Sequence, residues 1–249
     1  MDRLTYLLAD QALMAHAKNY FAWQARLILP ELGRRVLEVG CGAGNFTQSL
    51  LDREAVIAID NEPACVRRLA GRFPGRPNLH TRVCSPEEGT FAELAHLLPD
   101  SIVCLNVLEH IEDDGAALRN MAAVLPPGSV IVLLLPAFPA LYGPIDRNLG
   151  HFRRYSTASL KRLAAGAGLA IHKIQYMNLI GFFGWWVNAR ILQREAQSTS
   201  QIAVFDKWVV PLMSRLESRL PPPFGQSLLA VLKTQKDWLC RAEEHRSRL

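Results

Sequence analysis

Val36-Leu37-Glu38-Val39-Gly40-Cys41-Gly42-Ala43-Gly44-Asn45 passes from a short apolar run straight into a glycine-punctuated turn, with a helical pattern behind it. Such a run reads as a buried strand, so its glycines occupy a strand-to-helix turn. Open α/β sheets bind ligands there, at the carboxyl ends of their strands. Glycine lets the backbone turn tightly and lets a ligand approach with no Cβ in the way. The spacing is GxGxG, whereas a dinucleotide fingerprint needs glycine at position 45, which is Asn45 here, so a nicotinamide cofactor is disfavoured. At the end of the next strand run stands Asp60, 16 residues beyond Gly44. Its carboxylate can accept hydrogen bonds from both hydroxyls of a ribose.

Outward from this loop, short apolar runs alternate with helical patterns. Arg35–Val39, Ala55–Ile59, Leu79–Val83, Ser101–Leu105, Val130–Leu135 and Ser227–Leu232 read as about six strands, because they are short, β-branched and bounded by turn residues. Their near-continuous apolar character marks a mostly parallel sheet covered on both faces, hence a doubly wound α/β domain. Helices are predicted at Gly44–Arg53, Pro63–Phe73, Glu87–Leu98, Ile111–Leu125 and Thr157–Ala167, the last capped by Ser156. A length of 249 residues suits one domain spanning 1–249. Residues 1–30 form an N-terminal helical cap, and residues 178–224 form a helical insertion before the final strand.

The stretches VLEVGCGAGNF at 36–46, AIDNEP at 58–63, CSPEE at 84–88, LNVLEHIED at 105–113 and LPPGSVIVLLLP at 125–136 run in the order found in one family. In them the chain resembles the class I S-adenosylmethionine-dependent methyltransferases. The resemblance implies a seven-stranded, mostly parallel, Rossmann-like sheet and S-adenosylmethionine as cofactor. It places Glu38 at the amino-acid end of that cofactor and the Gly40, Cys41, Gly42 and Gly44 backbone beneath it. It gives Asp60 the ribose, sets Asn61 beside the adenine, and puts Asn106 and Val107 near the sulfonium. Ser85 stands where the family often has an acid near the adenine, which is a departure. His110 matches a frequent histidine; it serves either catalysis or simple packing beside the cofactor.

The segment after the fifth strand, from Pro136 to Ser156, carries three prolines at its start and two glycines, leaves the carboxyl end of a strand, and should cross the mouth of the site. It is the candidate acceptor loop. Arg147 to Lys173 holds six Lys or Arg and no Asp or Glu, against a net charge of +5 for the whole chain. Arg153 and Arg154 can hold a carboxylate or phosphate, and His151 and Tyr155 can take a proton. Tyr142, Asp146 and Trp185 complete the expected acceptor-binding set. The alternative for each of these residues is an ordinary structural pairing. The reading is O-methylation of a small or lipid-linked anionic acceptor, with carboxylate, hydroxyl and phosphonate all open; N- or C-methylation requires the same alignment.

The mild positive charge and pI of about 9.1 would admit nucleic acid. Base-amino methylation, however, brings an Asn/Asp-Pro-Pro-aromatic run after the fourth strand, and this chain has Asn106-Val107-Leu108-Glu109. A non-catalytic module that only holds the cofactor is the reading from another class. No metal centre is expected, since Cys and His lack ligand spacing along the chain, and Asp113-Asp114 suits a helix start. Five unpaired cysteines, no signal-like N-terminus and no ~20-residue apolar span suggest a soluble, cytoplasmic protein. The aromatic run Leu179 to Leu192 and the apolar residues from Ile202 to Leu220 read three ways: core or homodimer face, acceptor pocket, or weak membrane-surface contact.

Overall fold

The computed structural model describes residues 3–194, 196 and 198–235, so Cys240 lies outside the described residues. In chain order the elements are α1 (Arg3–Met14), α2 (Lys18–Ile28), β1 (Arg35–Val39), β2 (Ala55–Asp60), α3 (Pro63–Arg72), β3 (Leu79–Val83) and β4 (Ser101–Leu105). They continue with α4 (Asp114–Ala123), β5 (Val130–Pro136), α5 (Pro144–Leu149), α6 (Thr157–Gly166), β6 (Leu169–Met177), α7 (Leu179–Trp186), α8 (Thr199–Val204), α9 (Val210–Arg219) and β7 (Ser227–Thr234). The sheet has seven strands in the order β3-β2-β1-β4-β5-β7-β6. β1 to β5 pair in parallel, and β7 inserts antiparallel between β5 and β6. This is the doubly wound, mostly parallel sheet that the alternating runs indicated.

The two-residue period of each strand sorts the core into two layers. Leu37, Val39, Ile57, Ile59, Ile102, Cys104, Ile131 and Leu133 face one side, packed with Leu118 of α4 and Leu160 of α6. Val36, Val56, Ala58, Val103, Val132 and Leu134 face the other, packed with Trp23 and Ile28 of α2 and Leu69 of α3. Central strands wet on neither face must be apolar throughout, which is why they were legible as runs. The thiols of Cys41, Cys65, Cys84 and Cys104 are free and buried.

Three sequence expectations need correction. β6 was missed: at the sheet edge most of its residues keep partial exposure, and His172, Lys173 and Gln175 break up any apolar run. The helix predicted from Gly44 is a turn followed by a 3₁₀ helix at Thr47–Leu50; Gly44 itself holds φ 82°, which no α-helix accommodates. The helix at Glu87–Leu98 is 3₁₀ over Gly89–Leu97, stopped by Leu98 in the left-handed region.

Between β6 and β7 the chain runs through α7, α8 and α9, with π-helical turns at Val187–Ile191 and Phe205–Val209. Two buried carboxylates fasten it. Asp206 accepts from the backbone of Asn19 (3.2 Å) and Tyr20 (2.8 Å) in the first turn of α2. Glu217 accepts from the backbone of Asn178 (2.8 Å) and Leu179 (2.9 Å) at the start of α7. Helix N-termini leave their first N–H groups unpartnered and favour negative charge, so both acids sit where the backbone demands them. Glu217→Ala strands two of those donors; it should cost about 1–3 kcal/mol of stability, measured as a lower urea midpoint.

Candidate active site

The glycine loop is shaped by close approach. Gly40 sits at φ 75°, and its N–H and that of Cys41 both donate to the Ile59 carbonyl at 2.9 Å. A Cβ on Gly40 would lie 2.2 Å from Val107 Cγ2, and one on Gly44 would lie 2.5 Å from Leu69 Cδ1. Asp60 binds the loop from behind: its Oδ2 accepts from Gly42 N–H and its Oδ1 from Glu62 N–H, both at 2.9 Å. Glu38, buried at the end of β1, accepts from Thr47 Oγ1 at 2.6 Å. Burial pushes its carboxyl up to about 8; the Thr47 bond opposes this and the Asp60 charge adds to it.

In front of the loop lies a cavity of about 690 Å³. Its walls include Glu38, Gly40, Cys41 and Gly42 from the loop, Asn106, Glu109 and His110 beyond β4, and His151 and Arg154 from the acceptor loop. Ile180, Phe183, Trp185, Ile202 and Phe205 come from the helices between β6 and β7, and Gln11, Tyr20 and Phe21 from α1 and α2. Of the expected cofactor residues, Gly44, Asp60, Asn61, Ser85 and Val107 stand off this wall. Gly44 packs on Leu69 and Phe73, Val107 backs Gly40, and Asn61 is exposed beside Asp60. Ser85 is buried and accepts from Glu87 N–H.

Asp146 organises the acceptor loop. Fully buried, it accepts from Gly143 N–H (2.9 Å), His151 Nδ1 (2.9 Å) and Arg154 Nε (2.8 Å). Burial alone would raise its pKa; the His151 bond, the Arg154 charge and the Gly143 donor outweigh that and hold it below the ordinary carboxylate range. An ionised Asp146 accepts only, so Nδ1 of His151 is the donating nitrogen and Nε2 is the one left for other partners. Arg154 also donates to the Ala137 carbonyl (3.1 Å) and lies over the Trp185 ring, 4.6 Å from its centre. Tyr142 O–H donates to the His151 carbonyl at 2.7 Å, fastening the loop from outside the cavity.

Tyr155 and Arg153 require correction. The Tyr155 hydroxyl donates to Asp114 Oδ2 (2.8 Å), and burial beside that carboxylate drives its pKa far up, so it is no proton acceptor. Arg153 pairs with the same Asp114 (2.8 Å) and donates to the Glu112 carbonyl (2.6 Å). Both serve the start of α4 rather than the cavity.

Glu109 was not foreseen. It is fully buried on the cavity wall, and among the described residues neither carboxylate oxygen has a hydrogen-bond partner. Burial lifts its carboxyl to about 8, a rise only partly offset by its own backbone N–H and the Arg154 charge. The signal available was an acid set among the apolar Val107, Leu108 and Ile111 and next to His110. The Phe152 N–H donates to the Glu109 carbonyl at 2.7 Å and brings His151 alongside, its ring edge-on to His110 at 4.6 Å. The ligand atoms of Glu109, His110 and His151 lie within 4.8 Å of one another, a spacing at which they could hold a cation. The expectation of no metal centre rested on spacing along the chain, and this grouping is made by the fold instead. Gln11 was also missed: it packs over Gly42, and its carbonyl accepts from Asn45 Nδ2 (3.0 Å), which seats α1 on the loop.

Residues 9–174 match a family model described as a methyltransferase domain. Among curated proteins, the chain is 36% identical to the ubiquinone biosynthesis O-methyltransferase of Hahella chejuensis over 107 residues, 42% of this chain and 43% of that one. The Vibrio vulnificus protein of the same name is 34% identical over 99 residues, 39% of this chain and 41% of its own length. The match thus spans about two fifths of these relatives. The fold is similar to a chain in the complex between the Haloferax volcanii Trm112 methyltransferase activator and the putative methyltransferase: TM-score 0.62, 15% identity, coverage of 92% and 96%. It is also similar to the N-methyltransferase NodS of Bradyrhizobium japonicum WM9, solved with S-adenosyl-l-homocysteine: TM-score 0.52, 19% identity, coverage of 82% and 79%.

Two carboxyls raised from 4.5 to about 8 set a pH dependence. Between those values the folded chain keeps protons that the unfolded chain has released, so stability falls as pH rises through this window. Glu109→Gln should flatten part of that fall, seen by comparing the melting temperatures of both proteins at about pH 5 and about pH 8.5.

Proposed function

Since the chain belongs to the methyltransferase family whose model spans residues 9–174, and so to the class I S-adenosylmethionine-dependent enzymes, we propose that it methylates a hydroxyl oxygen, with His151 taking the proton. The acceptor has an apolar body and carries an anionic group near Arg154. The observation that carries this reading is the pair His151–Asp146, which leaves Nε2 of a cavity-lining imidazole free to accept.

The cradle suits the cofactor. Gly40 and Gly42 offer backbone without a side chain, and Glu38 and Glu109 give the wall two carboxyls whose ionised forms a sulfonium and an ammonium would favour. When bound, S-adenosylmethionine supplies a methyl group already activated by its positive sulfur. The protein's part is to hold the acceptor oxygen in line, exclude water and remove a proton. Asp146 fixes the tautomer and orientation of His151 and stabilises the imidazolium formed, as an orienting acid does behind any histidine base. On the protein's side the acceptor O–H bond breaks, its proton passes to Nε2 of His151 and the electron pair stays on oxygen; the methyl group that pair takes would come from the cofactor, whose S–CH3 bonding electrons would stay on sulfur as the neutral thioether.

Support for oxygen as the atom comes from the relatives, which are named as O-methyltransferases. The apolar body follows from Phe183, Trp185, Ile202 and Phe205 on the wall. The anionic group rests on Arg154, which lines the cavity although it is also paired to Asp146; Arg147, Arg153, Lys161, Arg162 and Lys173 stand off the cavity wall. His151→Ala should lower turnover about 100-fold or more while S-adenosylhomocysteine affinity by calorimetry stays near wild type; unchanged turnover removes His151 from the mechanism. Gly40→Ala, by contrast, should weaken S-adenosylhomocysteine binding at least tenfold, because its Cβ meets Val107 and the φ is left-handed.

A further inference from the structure

From Val204 to Leu220 every fourth residue is large, apolar and turned to solvent. Val204, Trp208, Leu212, Leu216 and Leu220 are each between 54% and 78% exposed. Residues four apart on a helix form one ridge, so this is a continuous strip rather than scattered apolar surface. One residue behind it runs a second row holding Lys207, Arg215 and Arg219, all exposed. The Lys207 ammonium lies 5.2 Å from the centre of the Trp208 ring. With Arg190 and Arg194, five cations stand on residues 179–220, and among the described residues none forms an ion pair. The described carboxylates of this segment, Asp206 and Glu217, are both buried on helix N-termini. Glu195, the segment's third acid, lies outside the described residues.

A face that is apolar along one row, cationic along the next and stripped of acids has a specific complement. Amphipathic helices with Trp and Leu on one side and Lys or Arg beside them lie in the interface of an anionic bilayer. A second copy of the chain is a poor complement, because a two-fold contact would set the cationic rows against each other. We propose that residues 199–220 dock on an anionic phospholipid surface, with the Trp208–Leu220 ridge at headgroup depth. No helix among the described residues is long and apolar enough to cross a membrane, in keeping with docking rather than spanning. Ile180, Phe183 and Leu192 are both solvent-exposed and part of the cavity wall, so apolar surface continues from these helices into the cavity. An acceptor anchored in the bilayer by its apolar body could then reach His151 without crossing water. That last step rests on the acceptor reading above; the docking does not.

The test is co-sedimentation of the full chain with vesicles of phosphatidylcholine alone and of phosphatidylcholine with about 30% phosphatidylglycerol. Binding should be confined to the anionic vesicles and weaken with salt. Lys207→Gln/Arg215→Gln/Arg219→Gln should weaken it about 100-fold, roughly fivefold per charge, and Trp208→Ser/Leu212→Ser/Leu216→Ser should abolish it. Both variants should keep wild-type S-adenosylhomocysteine binding and far-ultraviolet circular dichroism. No binding of the wild type to anionic vesicles overturns the proposal. So does equal, salt-insensitive binding to both vesicles, or a concentration-dependent dimer in sedimentation velocity that Trp208→Ser dissociates. Loss of methyl transfer to every acceptor tried, with vesicle binding intact, would count against the acceptor reading and not against the docking.

Discussion

One buried carboxylate holds the loop after β5 together. Asp146 draws in a backbone N–H from Gly143, the imidazole of His151 and the guanidinium of Arg154. A charge so far from water is costly unless its hydrogen-bonding capacity is met, so the three donors are held wherever Asp146 is held. The loop after β5 therefore has little freedom despite its prolines and glycines. Its remaining ties run the same way: Tyr155 pairs with Ala137 beside β5, and Phe152 is bonded to Glu109. What looks along the chain like a basic, flexible stretch is a tightly bonded bracket that presents two of its side chains, His151 and Arg154, to the cavity.

Elsewhere on the cavity wall the site is held in a less comfortable state. Glu38 and Glu109 are both buried, and burial raises both; among the described residues the Glu109 oxygens have no hydrogen-bond partner. A fold optimised only for stability would not keep such groups. Their cost makes sense if a cationic ligand supplies the missing interaction, which is the property that a sulfonium nucleoside brings. Neutral glycine backbone, the Asp146–His151 pair and two buried carboxyls together form a pocket suited to a cation and a nucleophile at once.

The helices between β6 and β7 serve this pocket from outside the sheet. They contribute its aromatic wall, and they are anchored by acids that cap α2 and α7. Spending Asp206 and Glu217 internally leaves the outer surface, among the described residues, with cations and exposed apolar side chains and no carboxylate. Anchoring and surface charge are thus one arrangement, since the same carboxylates that fix the helices are withdrawn from the face they would otherwise neutralise.

The central sheet was legible because strands dry on both faces must be apolar throughout, and the loop from Glu38 to Gly44 was legible because left-handed backbone selects glycine. β6 was not, since an edge strand carries no such run. The sequence by itself determined the fold class, the ligand end of the sheet and the family. It could not decide between Arg153 and Arg154, or between His151 and Tyr155, because neighbours along a chain look alike until packing assigns them partners. Tertiary structure separated them: Asp114 claims Arg153 and Tyr155, Asp146 orients His151 and Arg154, and burial singles out Glu109. Those choices depend on distances between residues far apart in sequence, which no local pattern encodes.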